Sequence, residues 1–249
     1  MTLGKDDIGH HISQQFNQDL ENLRSHVLQM GGVVEQQIAD AITALEESNC
    51  ELALSVVERD PHVNALEVNL DEECSRILAR RQPAAGDLRL IFAVIKTVTD
   101  LERIGDQAER VARTVLELAK LEPGRSRPPM RPMGELVRRL LNKALDAFAR
   151  LDVNAALEVE REDLEVDREY EAVMRQLVTY MMEDPRSITW ALNLVWAARA
   201  LERIGDHSKN IAEYLIYLVQ GTDVRHVSIE ERERQVQAVA LGHRHPPAI

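Results

Sequence analysis

The hexapeptide Leu-Glu-Arg-Ile-Gly-Asp occurs twice in this 249-residue chain, at 101–106 and 201–206. In each copy the two acids stand four residues apart, so a helix places both carboxylates on one face, one turn from each other. Like charges at this spacing repel by about 0.2–0.5 kcal/mol on an exposed helix. A bound cation would turn this unfavourable arrangement into a favourable one.

A second acidic pair with the same spacing precedes the hexapeptide in each half of the chain, and 96 residues separate the two pairs. If the two helices of each half lie antiparallel, four carboxylates face one another around a cation at the surface. All the ligands would be oxygen atoms, which favour Mg²⁺, Ca²⁺, Mn²⁺ or oxidised iron over zinc or copper. The predicted metal ligands are Glu67, Asp71, Glu102 and Asp106 in the first half, and Asp163, Asp167, Glu202 and Asp206 in the second.

Two other features of the hexapeptide bear on this hypothesis. Gly105 and Gly205 each cost a helix about 1 kcal/mol relative to alanine, which indicates close approach by a neighbouring helix or by a ligand. Glu109 and Asn210 follow the hexapeptides at non-equivalent positions and are weaker candidate ligands. The alternative is a solvated surface, because 29% of the chain is charged and arginines adjoin both glutamates.

Composition restricts the class of protein. A hydrophobic content of 45% with only 4% aromatic residues favours an aliphatic core between packed helices. The net charge of −12 argues against nucleic-acid binding. Cys50 and Cys74 show no disulfide spacing, so both are expected to be reduced and buried. There is no apolar run of membrane-spanning length and no signal-peptide pattern at the amino terminus, so we expect a cytoplasmic protein without membrane insertion.

Apolar residues recur every three or four positions through both halves, and convincing strand alternation is absent, which predicts an all-α fold of two tandem three-helix bundles. Ser48 or Asn49 can cap the second helix, Pro61 restarts or kinks it, Asp87 can cap the third and Ser187 the last. The predicted helices are about 7–46, 49–82, 87–118, 136–151, 153–182 and 188–221.

Helix-breaking prolines and glycines divide the chain into four segments. Residues 7–120 form the first three-helix repeat, the proline-rich segment 121–133 is a linker, and 134–221 form the second repeat. Residues 222–249 are expected to be a flexible tail. Its histidines, at 226, 243 and 245, could touch a metal, but a frayed terminus is the favoured interpretation.

These residues resemble the PhoU family, the bacterial phosphate-transport accessory regulators. The resemblance spans about residues 7–220 and is densest in Arg80–Ile91, Thr99–Asp106 and Leu201–Glu213. It implies two tandem three-helix bundles, and metal clusters held by the eight acids named above. The resemblance departs at Arg110, which matches Asn210, so the two sites can differ in charge and occupancy.

The resemblance further implies a negative regulator. Such a protein keeps a sensor histidine kinase from switching on the phosphate-starvation regulon when phosphate is plentiful. The resemblance also implies that the protein connects the kinase to the ATP-binding subunit of the high-affinity phosphate ABC transporter.

Other interpretations stay open. The chain has no glycine-rich phosphate loop and no nucleophile–base pair, so we expect no catalysis. A direct phosphate sensor needs convergent arginines or helix N-termini, which the sequence does not show, so we expect phosphate to bind only as a bridge to a bound metal, if at all. The competing hypothesis is a di-iron or di-manganese carboxylate enzyme, although such sites use Glu-x-x-His motifs that the hexapeptides lack. A plain helical scaffold is a third possibility. A homodimer is plausible because long amphipathic helices often leave surplus apolar surface.

Overall fold

The computed structural model describes residues 5–81, 83, 85–121 and 127–221, together with 224, 227, 230–232, 234 and 236; for 5–14 and 81 it describes the backbone alone. The regular structure of these residues is entirely helical, as predicted. The long helices are α1 (Lys5–Glu47), α2 (Cys50–Arg81), α3 (Ala85–Leu118), α4 (Arg131–Arg150), α5 (Val153–Glu183) and α6 (Ile188–Gln220), with a 3₁₀ turn at Pro185–Ser187.

Short polar residues and a glycine fix several helix ends. The Asn49 side chain accepts a hydrogen bond from the Leu52 amide at 3.0 Å, which caps α2. The carboxylate of Asp152 accepts from two amides of the first turn of α5, at 2.9 and 3.1 Å. Gly221 ends α6 with a φ of 74°, a conformation that glycine adopts without strain.

The starts of two helices differ from the expectation. Asp87 does not cap α3, which begins at Ala85 and carries this acid in its first turn. Ser187 precedes α6 but its hydroxyl does not cap it; the hydroxyl donates to the Tyr180 carbonyl at 2.9 Å. Pro61 lies inside α2, which continues to Arg81, so the helix does not restart there, and the alternative of a kink stays a prediction.

The helices form two three-helix bundles, α1–α3 and α4–α6, each around an aliphatic core. The fully buried side chains are mostly leucine, isoleucine, valine, alanine and methionine, with Phe148 the largest. Burying a leucine or isoleucine contributes about 1.5–3 kcal/mol, so many such residues suffice without aromatic ones. Cys74 is buried and Cys50 is exposed, so the prediction that both thiols are buried is wrong for Cys50.

The two bundles are joined through their last helices. α3 packs more extensively against α6 than against either helix of its own bundle. The ammonium group of Lys96 lies 5.3 Å from the ring centre of Tyr214, and Asp100 Oδ1 lies 2.6 Å from His207 Nδ1 and 3.3 Å from the amide of Asn210. Ascending positions in α3 meet descending positions in α6, so the two helices are antiparallel.

Most of the carboxyl-terminal tail lies outside the described residues, and so do its three histidines. The described tail residues include Val224, Arg232 and Val236, which are buried. Among the helices that the structure describes, none is long and apolar enough to cross a membrane.

Candidate functional site

The first acidic face lies where α2 packs against α3. It brings together the carboxylates of Glu67, Glu102 and Asp106. Asp60 lies seven residues, or about two helical turns, before Glu67 on α2. Burial raises the pKa of Glu102 to about 7, and the negative charges of Asp106, Glu67 and Asp60 add to this effect. These neighbouring negative charges make protonation, or a bound cation, favourable.

Asp71 lies at the margin of this face. Burial raises the pKa of Glu67 and of the Cys74 thiol, and the charge of Asp71 adds to both effects. Asp71 is not among the groups that perturb Glu102 or Asp106. The structure therefore brings three of the four predicted first-half residues together and leaves the fourth beside them.

Asp60 belongs to the first face, although the spacing analysis did not select it. It is buried, and the side-chain amide of Gln37 donates to its Oδ1 at 3.3 Å. A Cβ placed on Gly105 would lie 3.2 Å from Val63 Cγ1 and 3.7 Å from Asp60 Oδ1. The glycine of the hexapeptide thus allows α2 to approach α3 closely, as the sequence indicated.

The second acidic face lies where α5 packs against α6, and Asp163 is at its centre. The Lys209 ammonium donates to Asp163 Oδ2 at 3.2 Å, and a Cβ on Gly205 would lie only 2.8 Å from Asp163 Oδ1. Burial raises the pKa of Asp163; Lys209 opposes this effect, whereas Asp206 and Asp167 add to it. The four predicted carboxylates of the second half therefore interact within one face.

Glu202 is the second buried acid of this face, with 9% of its surface exposed. The Arg199 guanidinium donates to Glu202 Oε1, and Glu202 Oε2 is buried with no hydrogen-bond partner among the described residues. Burial raises the pKa of Glu202, Asp206 adds to the effect, and Arg199 opposes it. The expectation of a surface site holds for the exposed Asp167 and Asp206, but is wrong for Asp163 and Glu202.

The two hexapeptide glycines reveal how the two halves superimpose. Gly105 faces Asp60 and Val63 of α2, whereas Gly205 faces Asp163 and Val166 of α5. Equivalent residues of α2 and α5 are therefore 103 positions apart, and not 96. The alignment of Glu67 with Asp163 is wrong by seven residues, or two helical turns. The signal that finds the correct register is Asp-x-x-Val-Asn at 60–64, which repeats as Asp-x-x-Val-Asp at 163–167.

The two weaker candidate ligands separate in the structure. Glu109 adjoins the first face, where its charge adds to the effect of burial in raising the pKa of Asp60 and Asp106. Asn210 faces the opposite way and donates to Asp100 at the junction of the bundles. His207 also points to that junction, so it contributes nothing to the second acidic face.

Comparison with known proteins agrees with this architecture. The model of the PhoU domain matches residues 27–115 and 130–215. The chain belongs to the PhoU family. It is 54% identical over 241 residues to the phosphate-specific transport system accessory protein PhoU homolog of Pseudomonas putida, covering 96% of this chain and 94% of that one. It is 47% identical over 224 residues to PhoU of Escherichia coli, covering 90% and 93%.

Solved PhoU structures share the fold. The crystal structure of PhoU from Pseudomonas aeruginosa superimposes with a TM-score of 0.79 at 55% identity, over 83% of this chain and 100% of that one. The phosphate transport system regulatory protein PhoU from Streptococcus pneumoniae superimposes with a TM-score of 0.78 at 28% identity, over 84% and 99%. The two-bundle fold predicted from the sequence is therefore confirmed as the PhoU fold.

Every candidate ligand of the first face is an oxygen atom, so its donor set fits the hard cation that the PhoU resemblance implies. In the second face, Arg199 and Lys209 already donate to carboxylate oxygens of Glu202 and Asp163. In the described part of the chain, however, no three aspartate, glutamate, histidine or cysteine side chains converge closely enough to hold a metal ion. A shared ion requires these carboxylates to rotate toward one another. The exposed Asp106 and Asp206 have the space to do so.

Proposed function

We propose that this PhoU-family chain is a cytoplasmic negative regulator of the phosphate-starvation response. In this role it links the ATP-binding subunit of the high-affinity phosphate ABC transporter to the sensor histidine kinase, and restrains the kinase when phosphate is plentiful. The observation that carries the proposal is the 54% identity, over nearly the whole chain, to a relative named as an accessory protein of the phosphate-specific transport system.

We further propose that the protein acts as an adaptor and not as an enzyme. The competing carboxylate-oxidase hypothesis requires a histidine that joins the acidic face. His207, the histidine nearest the second hexapeptide, is buried and lies 2.6 Å from Asp100 instead. An oxygen-consumption assay with iron-loaded protein tests this point, and sustained turnover would contradict the adaptor proposal.

The first acidic face is proposed to bind a hard cation: iron, manganese, magnesium or calcium. The raised pKa values of Glu67, Glu102 and Asp106 support this part of the proposal, because burial and, after it, neighbouring negative charge disfavour the ionised form of each carboxylate. A divalent cation relieves that repulsion and stabilises the ionised forms. The carboxylates would supply the ligands, with no catalytic step.

Alkaline phosphatase activity in phosphate-rich medium tests the regulatory role. A strain lacking this protein is complemented with the wild type, with Glu102→Gln/Asp106→Asn, or with Glu202→Gln/Asp206→Asn. We expect the wild type to repress phosphatase and at least one double variant to lose repression while keeping its helical circular dichroism.

A matched control removes two acids outside both faces: Glu117 and Asp146, which form exposed pairs with neighbouring basic residues. The control variant, Glu117→Gln/Asp146→Asn, should repress like the wild type. If the wild type itself fails to repress, the regulatory proposal is wrong. If all variants repress, the acids are surface charge, as the scaffold interpretation holds.

Homodimer formation stays a prediction. The side chains that favour it are Ile188, Leu192 and Trp196, which recur every four residues along α6 and are 43%, 46% and 60% exposed. Such an apolar stripe is typical of an association surface. Light scattering of the wild type and of Trp196→Glu measures the effect: a dimer held by this stripe becomes a monomer in the variant.

A further inference from the structure

The two acidic faces are equivalent in position but not in charge. Residues 100 apart in α3 and α6 correspond, because the hexapeptides occupy the same place in the two bundles. At two such positions beside the acids the residue types differ: Thr99 corresponds to Arg199, and Glu109 corresponds to Lys209. The second face therefore holds two cationic side chains where the first holds a hydroxyl and a carboxylate.

The cations of the second face contact its acids directly. Arg199 pairs with Glu202, and Lys209 lies 3.2 Å from Asp163. Because Asp163 is buried, its charge needs a partner close by. Although burial opposes it, the charge of Asp163, followed by that of Asp206, raises the pKa of Lys209 and keeps the ammonium group protonated. The chain's own side chains thus supply the positive charge that this face requires.

The first face lacks such partners. The Thr99 hydroxyl donates to the Ile95 carbonyl at 3.1 Å and carries no charge. Glu109 is paired with Arg113 at 2.5 Å, which directs that arginine to Glu109. Within the described residues, neither Glu102 nor Asp106 forms an ion pair.

A buried amide adds a second, independent feature to the first face. Gln37 is 2% exposed, and its side-chain nitrogen donates to Asp60. Its side-chain oxygen would lie 3.5 Å from a Cβ on Gly105, and it has no hydrogen-bond partner among the described residues. A buried acceptor without a donor is costly, and a cation or a cation-bound water would satisfy it.

The neighbouring arginines do not reverse this difference. Arg103 and Arg110 are exposed and lower the pKa of Glu67 and Asp106 respectively, yet neither forms an ion pair with these acids in the described structure. They reduce the negative field of the first face without occupying its centre, whereas Lys209 lies against a buried carboxylate of the second.

We propose that the first face binds a hard divalent cation and the second face does not, because Arg199 and Lys209 occupy the cation's place there. This inference rests on the metal-binding part of the proposed function, and it makes positions 99/199 and 109/209 the determinants of which face is occupied. The amide oxygen of Gln37 is assigned to the first face as an additional ligand or water acceptor.

Reciprocal exchange of the equivalent residues tests the proposal. Mn²⁺ is titrated into metal-free protein and followed by calorimetry and by electron paramagnetic resonance of the free ion. The variant Thr99→Arg/Glu109→Lys brings the second face's cations to the first, and Arg199→Thr/Lys209→Glu does the reverse. The first variant should weaken Mn²⁺ binding by about tenfold or more, since repulsion inside a partly buried site is weakly screened. The second variant should gain a second class of site.

Controls separate a local effect from net charge and from misfolding. Lys120→Glu makes the same charge change as Lys209→Glu at a side chain that is 66% exposed at the end of α3, and it should leave the stoichiometry unchanged. Each variant is checked by circular dichroism and thermal melting. If the reverse exchange does not fold, Lys209→Gln alone should still open the second face to Mn²⁺.

Two results would overturn the inference. One is a wild-type protein that binds Mn²⁺ at two sites of equal affinity. The other is an unchanged affinity for Mn²⁺ in Thr99→Arg/Glu109→Lys. If no variant binds Mn²⁺, the metal-binding part of the proposed function fails together with this inference. The adaptor role is judged separately, by the phosphatase assay.

Discussion

Replacing Arg232 with alanine is expected to destabilise the second bundle strongly. Its guanidinium is 4% exposed and lies 2.5 Å from Glu160 Oε1 and 2.9 Å from Glu213 Oε1, on α5 and α6 respectively. It also donates to the Val224 carbonyl at 2.5 Å. One side chain of the tail therefore holds two helices and its own backbone together.

The magnitude follows from burial. Glu160 is fully buried and Glu213 is 6% exposed, so removal of the guanidinium leaves two carboxylates without their shared cation. Breaking a buried ion pair from one side costs about 3–5 kcal/mol. We expect about 3 kcal/mol for Arg232→Ala, the lower end of that range, because a tail that detaches lets water reach the acids.

The loss should depend on pH in a defined direction. Burial raises the pKa of Glu160 even with Arg232 present, and removal of the arginine raises it further. An acid whose pKa is raised in the folded state stabilises the fold when protonated, and this contribution is lost as the pH rises through the folded-state pKa. Arg232→Ala should therefore be less destabilising at pH 5 than at pH 8.

Urea denaturation followed by circular dichroism at pH 5 and pH 8 measures both effects. Arg234→Ala is the matched control, since Arg234 lies in the same tail but is exposed, and among the described residues its guanidinium donates to a nearby carbonyl at 3.2 Å. The control should change the free energy of unfolding by about 0.5 kcal/mol or less. A loss below about 1 kcal/mol for Arg232→Ala at pH 8 would refute the reasoning.

Three further outcomes are expected. In metal-free protein, the raised pKa of Glu102 (from 4.5 to about 7) makes stability fall as the pH rises across that interval. In Glu102→Gln, the free energy of unfolding should fall by about 1–2 kcal/mol less than in the wild type over this pH interval, a value reduced for solvent screening. Urea titrations of both proteins measure this difference, and an equal pH dependence would contradict the prediction. Gly205→Ala should lower the melting temperature, at a cost of about 1–3 kcal/mol, because its Cβ would meet a carboxylate oxygen at 2.8 Å. Gly32→Ala, with open space around it, should raise the melting temperature instead. A thiol reagent should label the exposed Cys50 quickly and leave Cys74, whose pKa burial raises to about 12, unlabelled until the protein unfolds; equal labelling rates would contradict this.

Much of the fold was predictable because helices repeat their burial every three or four residues. Leu101, Ile104 and Val111 are fully buried on α3, as their spacing indicated. The helix ends were less predictable, since a cap depends on which of several hydrogen bonds a side chain makes. Ser187 had the residue type of a cap, but its hydroxyl bonds the end of α5 instead.

The acidic faces were predictable only in part. The spacing of Glu102 and Asp106 within one helix is local information, and the structure keeps these two acids together. The partner helix is a different matter, because packing sets its register. Acidic spacing alone aligns Glu67 with Asp163, whereas the repeated Asp-x-x-Val motif aligns Asp60 with Asp163. The choice depended on which carboxylate fits against a glycine, and Asp60 lies against Gly105.

The antiparallel pairing of α3 with α6 has a consequence for how two halves become one molecule. Two identical copies that met along this helix would form an isologous dimer, in which every contact occurs twice. The counterpart of the Asp100–His207 contact would be Ala200 with Gln107, and these residue types cannot form it. In a single polypeptide the two halves can carry different residues at the α3–α6 interface, so that α3 supplies Asp100 and α6 supplies His207. Because each half has its own role at this interface, the two halves can diverge in what they bind while the α3–α6 contact keeps its register.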